Sequence, residues 1–386
     1  MVIILITKKR HVETSDLYDI ASVTKIVSSI PAIMKMYDEG RIELDDSLSH
    51  LIPRLKGSNK AGLKLDDIMI HQAGLQSWIP FYLRAIDKER LKGDIYSRRY
   101  SSLYNIKVDK SLYMNRTVRY RTDVFRHSSN DDFNIQVSAG LYMNKGYLDS
   151  MRMGIDTSQV QANPTYRYSD LGYYYLKEII ENKYNKSQDV VVENTFYKPL
   201  GAERLMYLPL RKFNKREIVP TENDVSFRKE LIHGYVHDPG AAMLGGVGGH
   251  AGVFASAEDL AKMLQMYLNN GYYGGERYID SSTINIFTSV VKEGNRRGLG
   301  FDKPILDPKV SGPTCREVSP SSYGHSGFTG TLVWMDPEYD LMYIFLSNRI
   351  HPNQYNKKLI SGDVRTNIQS AIYRSLPEYW EKTKRK

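Results

Sequence analysis

The chain has 386 residues, with 53 lysines and arginines against 44 aspartates and glutamates, a formal charge of +9. Its 41% hydrophobic content and mean hydropathy of −0.45 describe a globular chain long enough for a sizeable core, and exclude a disordered or fibrous one. The single cysteine, Cys315, excludes an intrachain disulfide, and no apolar run approaches the ~20 residues of a membrane-spanning helix.

The basic excess clusters at 8–10, 211–216 and 382–386 without any nucleic-acid motif, so it reads as a solvated surface rather than a nucleic-acid site. Residues 2–6, Val-Ile-Ile-Leu-Ile, read as a short buried strand. The run is too short for a signal peptide, and its basic residues follow it, so no export signal is written here. Residues 8–15 read as a polar connector.

A helix is expected from Ser22 to about Glu39. Ile26, Ile30, Ile33, Met34 and Tyr37 recur with its period, and Gly40 suits its C-terminal turn. Ser22 and Lys25 fall three residues apart at its start, on one face and within mutual reach. The Ser22 N–H is one of the free donors of a helix start, available to an oxyanion. Ser-x-x-Lys alone is weak, since Ser226–Lys229 and Ser289–Lys292 repeat it.

A second helix at 65–70 stops at His71-Gln-Ala-Gly-Leu75. His71 reads as a helix-end histidine bonded to backbone, with catalysis as the alternative. Residues 78–166 shift toward tyrosine and arginine and read as an inserted, largely helical region with long loops. Trp78, Phe81 and Tyr82 are candidates to line a cleft. Tyr168-Ser169-Asp170 precedes a helix at 171–180, and a further helix ends at Gly201.

The glycine-dense run 245–252 is neither a Walker A loop nor a dinucleotide fingerprint. His233, His237, Asp238 and His250 fit no common zinc spacing, and the glycines read as backbone brought close to another element. Ser256 should cap a helix carrying Leu260, Met263, Leu264 and Tyr267, and another covers 281–290. Runs at 332–335 and 341–346 read as an antiparallel hairpin. A last helix carries Val364, Ile368, Ala371 and Ile372, before a frayed, charged tail.

Two short motifs supply partners for Ser22. Tyr168–Asp170 is preferred over Tyr278–Asp280 because its middle residue is small and polar. His325-Ser326-Gly327 is preferred over His250-Ala-Gly252 because it is expected to open a strand, 328–335. The N–H of Phe328 at that strand's edge is the second oxyanion donor.

Ser22–Lys25, Tyr168–Asp170 and His325–Gly327, in this order and spacing, resemble the serine β-lactamase and penicillin-binding-protein superfamily. The flanking Tyr18-Asp-Ile-Ala-Ser-Val-Thr-Lys25, His71-Gln-Ala-Gly-Leu75, Gly249-His-Ala-Gly-Val-Phe254 and Gly324-His-Ser-Gly-Phe-Thr-Gly330 agree. The likeness covers roughly residues 12–373, is weakest across 78–166, and is greatest to class C-like esterases, D-amino-acid peptidases and muropeptide amidases. Some of the muropeptide-processing members are fused to a glycosidase domain, a β-N-acetylglucosaminidase.

The resemblance implies a single α/β (α+β) domain, 1–386, of β-lactamase/transpeptidase type. A mainly antiparallel sheet, from 1–75 and 230–386, is flanked by helices, with a helical and loop insertion at 76–229. It implies a serine hydrolase acting on amide or ester bonds of cell-wall peptides or muropeptides, in the cell envelope or periplasm, without metal or cofactor. Ser22 is then the nucleophile, Lys25 its proton acceptor or relay, and Tyr168 the acid and base. Ser22 and Phe328 hold the oxyanion; His325, the fourth catalytic residue, orients Tyr168 or a substrate carboxylate, and Asp170, Ser326 and Gly327 belong to the substrate side of the site. An esterase or β-lactamase on the same site, and a non-catalytic peptidoglycan-binding module, are the alternatives.

Two departures mark this chain. His325 stands where β-lactamases usually carry lysine, and Asp170 where asparagine is commoner; a carboxylate only accepts hydrogen bonds and is expected to pair with Lys25 instead. Only 21 residues precede Ser22, so the N-terminal strands of the sheet are expected to be incomplete.

Overall fold

A computed structural model describes residues 3–4 and 10–384. The element around which the rest assembles is helical from Ala21 to Asp38, in three sections. A 3₁₀ turn, Ala21–Val23, leads into a wide turn, Lys25–Ser29, and then into the α-helix Ile30–Asp38. Ile26, Val27, Ile30, Ile33 and Met34 are all fully buried in the main core. Such side chains each contribute about 1.5–3 kcal/mol of burial free energy. Gly40 adopts φ +63 just past the end, as expected of a helix-terminating glycine.

This core helix is flanked by Leu171–Tyr184 and Ser281–Thr288 and reached by two sheets. In one, Val253–Ala255 lies between Leu205–Tyr207 and Tyr18–Asp19, all antiparallel. In the other, Leu332–Asp336 lies between Tyr323–Ser326 and Leu341–Phe345. The C-terminal hairpin is therefore as expected, with Leu341–Phe345 as an edge strand among the described residues. Ser256 caps the helix Ala257–Leu268, accepting the Asp259 N–H at 3.3 Å.

Four expectations change. The segment 78–166 is not largely helical: it holds six short strands in two antiparallel sheets, beside the helices Phe81–Arg84 and Tyr147–Asp156. One sheet orders Tyr96–Ser97, Leu112–Asn115 and Tyr104–Asp109; the other orders Phe125–Arg126, Leu141–Met143 and Ile135–Ser138. The alternation of half-buried and exposed residues along Tyr104–Asp109 is the period of two that a strand requires.

His325 does not open a strand but lies near the end of Tyr323–Ser326. Residues 327–331 turn the chain, with the Gly330 N–H donating to the Gly327 carbonyl and the Gly327 N–H to that of Thr331. The next strand thus starts at Leu332. Residues 377–384 continue as a helix rather than a frayed tail. At the N-terminus Ile3–Ile4 pairs with Arg10–His11, so the expected connector carries a strand. The remainder of the expected strand at 2–6 lies outside the described residues.

Candidate active site

Ala21 adopts φ +47, a region that residues with a Cβ rarely occupy. Asp19 holds it there. One carboxylate oxygen accepts the Ala21 N–H at 2.8 Å and the other the His237 N–H at 2.7 Å. Burial pushes the Asp19 pKa up, against the pull of those two amides. The turn presents Ser22 to a cleft of about 920 Å³, which Tyr168, Asp170, Arg297, His325 and Phe328 also line.

Lys25, one turn further on, is wholly enclosed. Its ammonium has three donors and meets three acceptors: Ser22 Oγ at 3.1 Å, Asp170 Oδ1 at 2.6 Å and the His250 carbonyl at 3.2 Å. It also lies 5.0 Å from the ring centroids of Tyr168 and Tyr173. Burial works to lower the Lys25 pKa, but Asp170, with Tyr168 and Tyr173, more than reverses it, so the net shift is upward. Lys25 is therefore a cation at neutral pH.

Asp170 stands immediately before the helix Leu171–Tyr184, where an aspartate commonly caps the helix. Its side chain makes no cap here and reaches Lys25 instead. The Tyr168 hydroxyl interacts with both Lys25 and Ser22. Its pKa is nevertheless raised, because burial outweighs the nearby ammonium, so proximity to Lys25 does not make it a ready phenolate.

Two buried histidines flank the Tyr168 ring, His71 at 4.3 Å and His325 at 6.1 Å between centroids. His71 Nδ1 lies 3.1 Å from the Ser169 N–H and must accept it, which places the proton on Nε2. His325 Nδ1 lies 2.8 Å from the Ser326 carbonyl and must donate, which leaves Nε2 bare. Burial and then the charges of Arg297 and Lys25 lower both pKa values well below the usual 6.5, so both rings are neutral at pH 7.

Gly327 is fixed by contact rather than by turn geometry. A Cβ there would overlap Thr331 Oγ1 and stand 2.6 Å from the Ile20 carbonyl oxygen. The third motif thereby packs against the residues leading into Ser22. Thr329 and Thr331 hydroxyls fasten the same junction, donating to the Asp19 and Ile20 carbonyls at 2.8 and 3.2 Å. Among the described residues, neither the Ser22 nor the Phe328 N–H donates to a protein acceptor.

The glycine run does bring backbone close to another element. A Cβ on Gly249 would overlap the Tyr173 carbonyl, and the adjoining carbonyls take hydrogen bonds from Ser29 and Lys25. The histidines weighed as metal ligands do other work. His250 Nε2 pairs with Asp238 and His237 Nε2 with Glu222, each at 2.7 Å, while His233 bonds the Ile218 carbonyl. The other Ser-x-x-Lys pairs lack partners of this kind: Ser226 donates to Asp224, and Lys292 pairs with Asp67.

Two contributions escape the motif reading. Arg297 is 2% exposed, lines the cleft, and lies 5.9 Å from the Tyr168 ring centroid; its adjoining Gly-Leu-Gly gave no specific signal. His71, read as a helix-end histidine with catalysis as the alternative, is also a neighbour of Tyr168, a contact its motif does not show. Of the expected aromatic wall, Trp78 and Tyr82 line the cleft, whereas Phe81 is buried in the core.

The Beta-lactamase family profile matches residues 6–108 and 138–364. The chain belongs to the beta-lactamase family. The unmatched 109–137 falls inside the strand-bearing insertion, where the motif likeness is also weakest. A relative in Salmonella typhimurium (strain LT2), named "Putative D-alanyl-D-alanine carboxypeptidase", is 30% identical over 372 residues, 90% of this chain and 72% of that protein.

Solved structures show the fold. EstCE1, "a hydrolase with promiscuous acyltransferase activity", superposes with a TM-score of 0.60 at 15% identity, over 95% of this chain and 87% of its own. A class C beta lactamase superposes with a TM-score of 0.57 at 15% identity, over 95% and 86%. This family member is accordingly a serine hydrolase of mixed α/β architecture with antiparallel sheets. No described helix is long and apolar enough to cross a membrane.

Proposed function

We propose that this beta-lactamase-family hydrolase acts through an acyl-enzyme on Ser22, cleaving peptides that end in a free carboxylate, of the kind found in bacterial cell wall. The observation that carries this reading is the Lys25 ammonium held between Ser22 Oγ and Asp170 Oδ1. It links the nucleophile to a proton acceptor within one enclosed network.

When substrate expels water, the buried Lys25–Asp170 pair moves toward its neutral form, since a dry site disfavours separated charge. Lys25 gives one proton to Asp170 and takes the Ser22 hydroxyl proton as Oγ attacks the scissile carbonyl. The oxyanion settles against the Ser22 and Phe328 N–H groups. Tyr168 then protonates the leaving amine and is reloaded from Lys25. Asp170 returns its proton to Lys25, so the Ser22 proton has in effect moved to the leaving group. Water repeats the sequence in reverse to release the acyl group.

Neutral His325 accepts through Nε2 and gives no charge to a substrate carboxylate. The buried Arg297 guanidinium supplies it instead, and its Nε has no partner among the described residues. The name of the Salmonella relative, a carboxypeptidase for D-alanyl-D-alanine, supports a peptide over an ester. An envelope location follows from that substrate. The absence of charge on His325 favours a second reading, an esterase on the same Ser22.

Labelling with a fluorophosphonate or fluorescent β-lactam, followed by intact-mass analysis, tests the nucleophile. One adduct on Ser22, absent from Ser22→Ala at equal thermal stability, is expected. No adduct with any acylating probe in folded protein overturns the reading. A screen of D-Ala-D-Ala peptides, muropeptides and short esters separates the two substrate classes.

A further inference from the structure

Beyond Gly327 the cleft continues along the turn that carries Phe328. That ring is 49% exposed and packs against the His237 imidazole at 5.5 Å and the Arg349 guanidinium at 5.0 Å. Arg349 Nη1 donates to the carbonyls of Gln354 and Asn356 at 3.3 and 3.1 Å. Arg365, on the helix Val364–Ser375, reaches the same turn from outside. Its Nη1 donates to the carbonyls of Gly330 and Thr331 at 3.4 and 3.1 Å. Both arginines line the cleft that contains Ser22.

The charge arrangement of these two residues differs from that of the other arginines in the cleft. Arg228 is matched by Asp224 at 2.9 Å, and Arg297 has Asp302 at 3.4 Å, a carboxylate it shares with Arg296. Among the described residues no carboxylate pairs with Arg349 or Arg365. Burial lowers the pKa of both, and Arg365 is lowered further by the charge of Arg349 and raised only by Tyr343. Glu222 also lines the cleft, and its oxygens are taken by His237 Nε2 and the Gln354 N–H. Each guanidinium is held by one nitrogen on backbone carbonyls, while its other nitrogens have no protein acceptor among the described residues.

Two half-buried like charges without a counter-ion are costly in the free protein, and an anion bound against both relieves that cost. We propose that Arg349 and Arg365 form a second anion subsite of the cleft, which takes an acidic substituent, carboxylate or phosphate, carried by the substrate beside Phe328. This group is separate from the terminal carboxylate assigned to Arg297. Its place on a substrate rests on the proposed Ser22 chemistry, but its binding does not.

Calorimetric titration of the whole chain with inorganic phosphate and, separately, with glutarate tests it, in the wild type and in Ser22→Ala. Saturable binding of one or both anions is expected, about tenfold or more weaker in Arg365→Gln and Arg349→Gln and largely kept in Arg365→Lys. Glutamine removes the charge and keeps a polar side chain at each position, and unliganded melting temperatures check the fold. Tighter phosphate identifies a phosphorylated substituent, and tighter glutarate an acidic side chain. Absence of binding, or binding lost in Arg297→Gln but unaltered in both other glutamine variants, overturns the subsite. Intact anion binding without labelling of Ser22 overturns the nucleophile reading and leaves the subsite standing.

Discussion

Lys25 Nζ lies 2.6 Å from Asp170 Oδ1, with the lysine side chain wholly buried and the carboxylate 24% exposed toward the cleft. A buried ammonium survives only with such a partner, because burial alone drives lysine toward the neutral amine. Asp170 thus decides the charge of the group that touches Ser22.

Replacing Asp170 with asparagine removes the anion and leaves the burial. The Lys25 pKa then falls, by about one unit or more. In the proposed sequence Lys25 becomes a base by passing its proton to Asp170; without that acceptor it must lose the proton to solvent, so the acid limb of kcat/KM moves up to the lowered Lys25 pKa and activity at neutral pH falls. Side-chain NMR of Lys25 and a pH–rate profile check this. An unchanged Lys25 titration counts against the assignment.

His71 and His325 make a prediction for stability. Their folded pKa values lie well below 6.5 because burial, Arg297 and Lys25 all oppose protonation. Below about pH 6.5 the unfolded chain takes up protons that the folded chain refuses. Their contribution is therefore complete above that pH and is lost as pH falls toward the folded values, at up to about 1.4 kcal/mol per unit for each ring. Denaturant midpoints between pH 7.5 and 5.5 should decline, as rough markers of that window, and His71→Asn or His325→Asn should flatten the decline. An unaltered slope in both variants would contradict it.

Arg297 separates carboxylate recognition from general packing. In Arg297→Gln, kcat/KM for a peptide ending in a free carboxylate falls by about 30-fold or more, as expected for loss of a buried charge contact. The C-terminally amidated peptide loses much less. Equal losses would assign Arg297 a structural role through Asp302 and Gly300 alone.

The motif reading picked out Ser22, Lys25, Tyr168, Asp170 and His325 as candidates because each sits in or beside the start or end of an element, where type and spacing are visible in one dimension. It also found the pairing of Asp170 with Lys25, since a carboxylate cannot donate as asparagine does. The strands of 78–166 were written as alternation along Tyr104–Asp109, but that signal is short, and six residues of period two were outweighed by the aromatic composition around them.

By itself, then, the sequence determined the helix that carries Ser22 and Lys25, the three-part motif and the family these imply. Only the tertiary structure decided the charge states, because those depend on burial and on neighbours 145 residues away in the chain, as Asp170 is from Lys25. The same holds for Arg297, His71 and the unmatched pair Arg349 and Arg365. An arginine in a sequence carries no sign of whether the fold aims it into the cleft, as with Arg297, or leaves it without a carboxylate partner, as with Arg349 and Arg365 among the described residues.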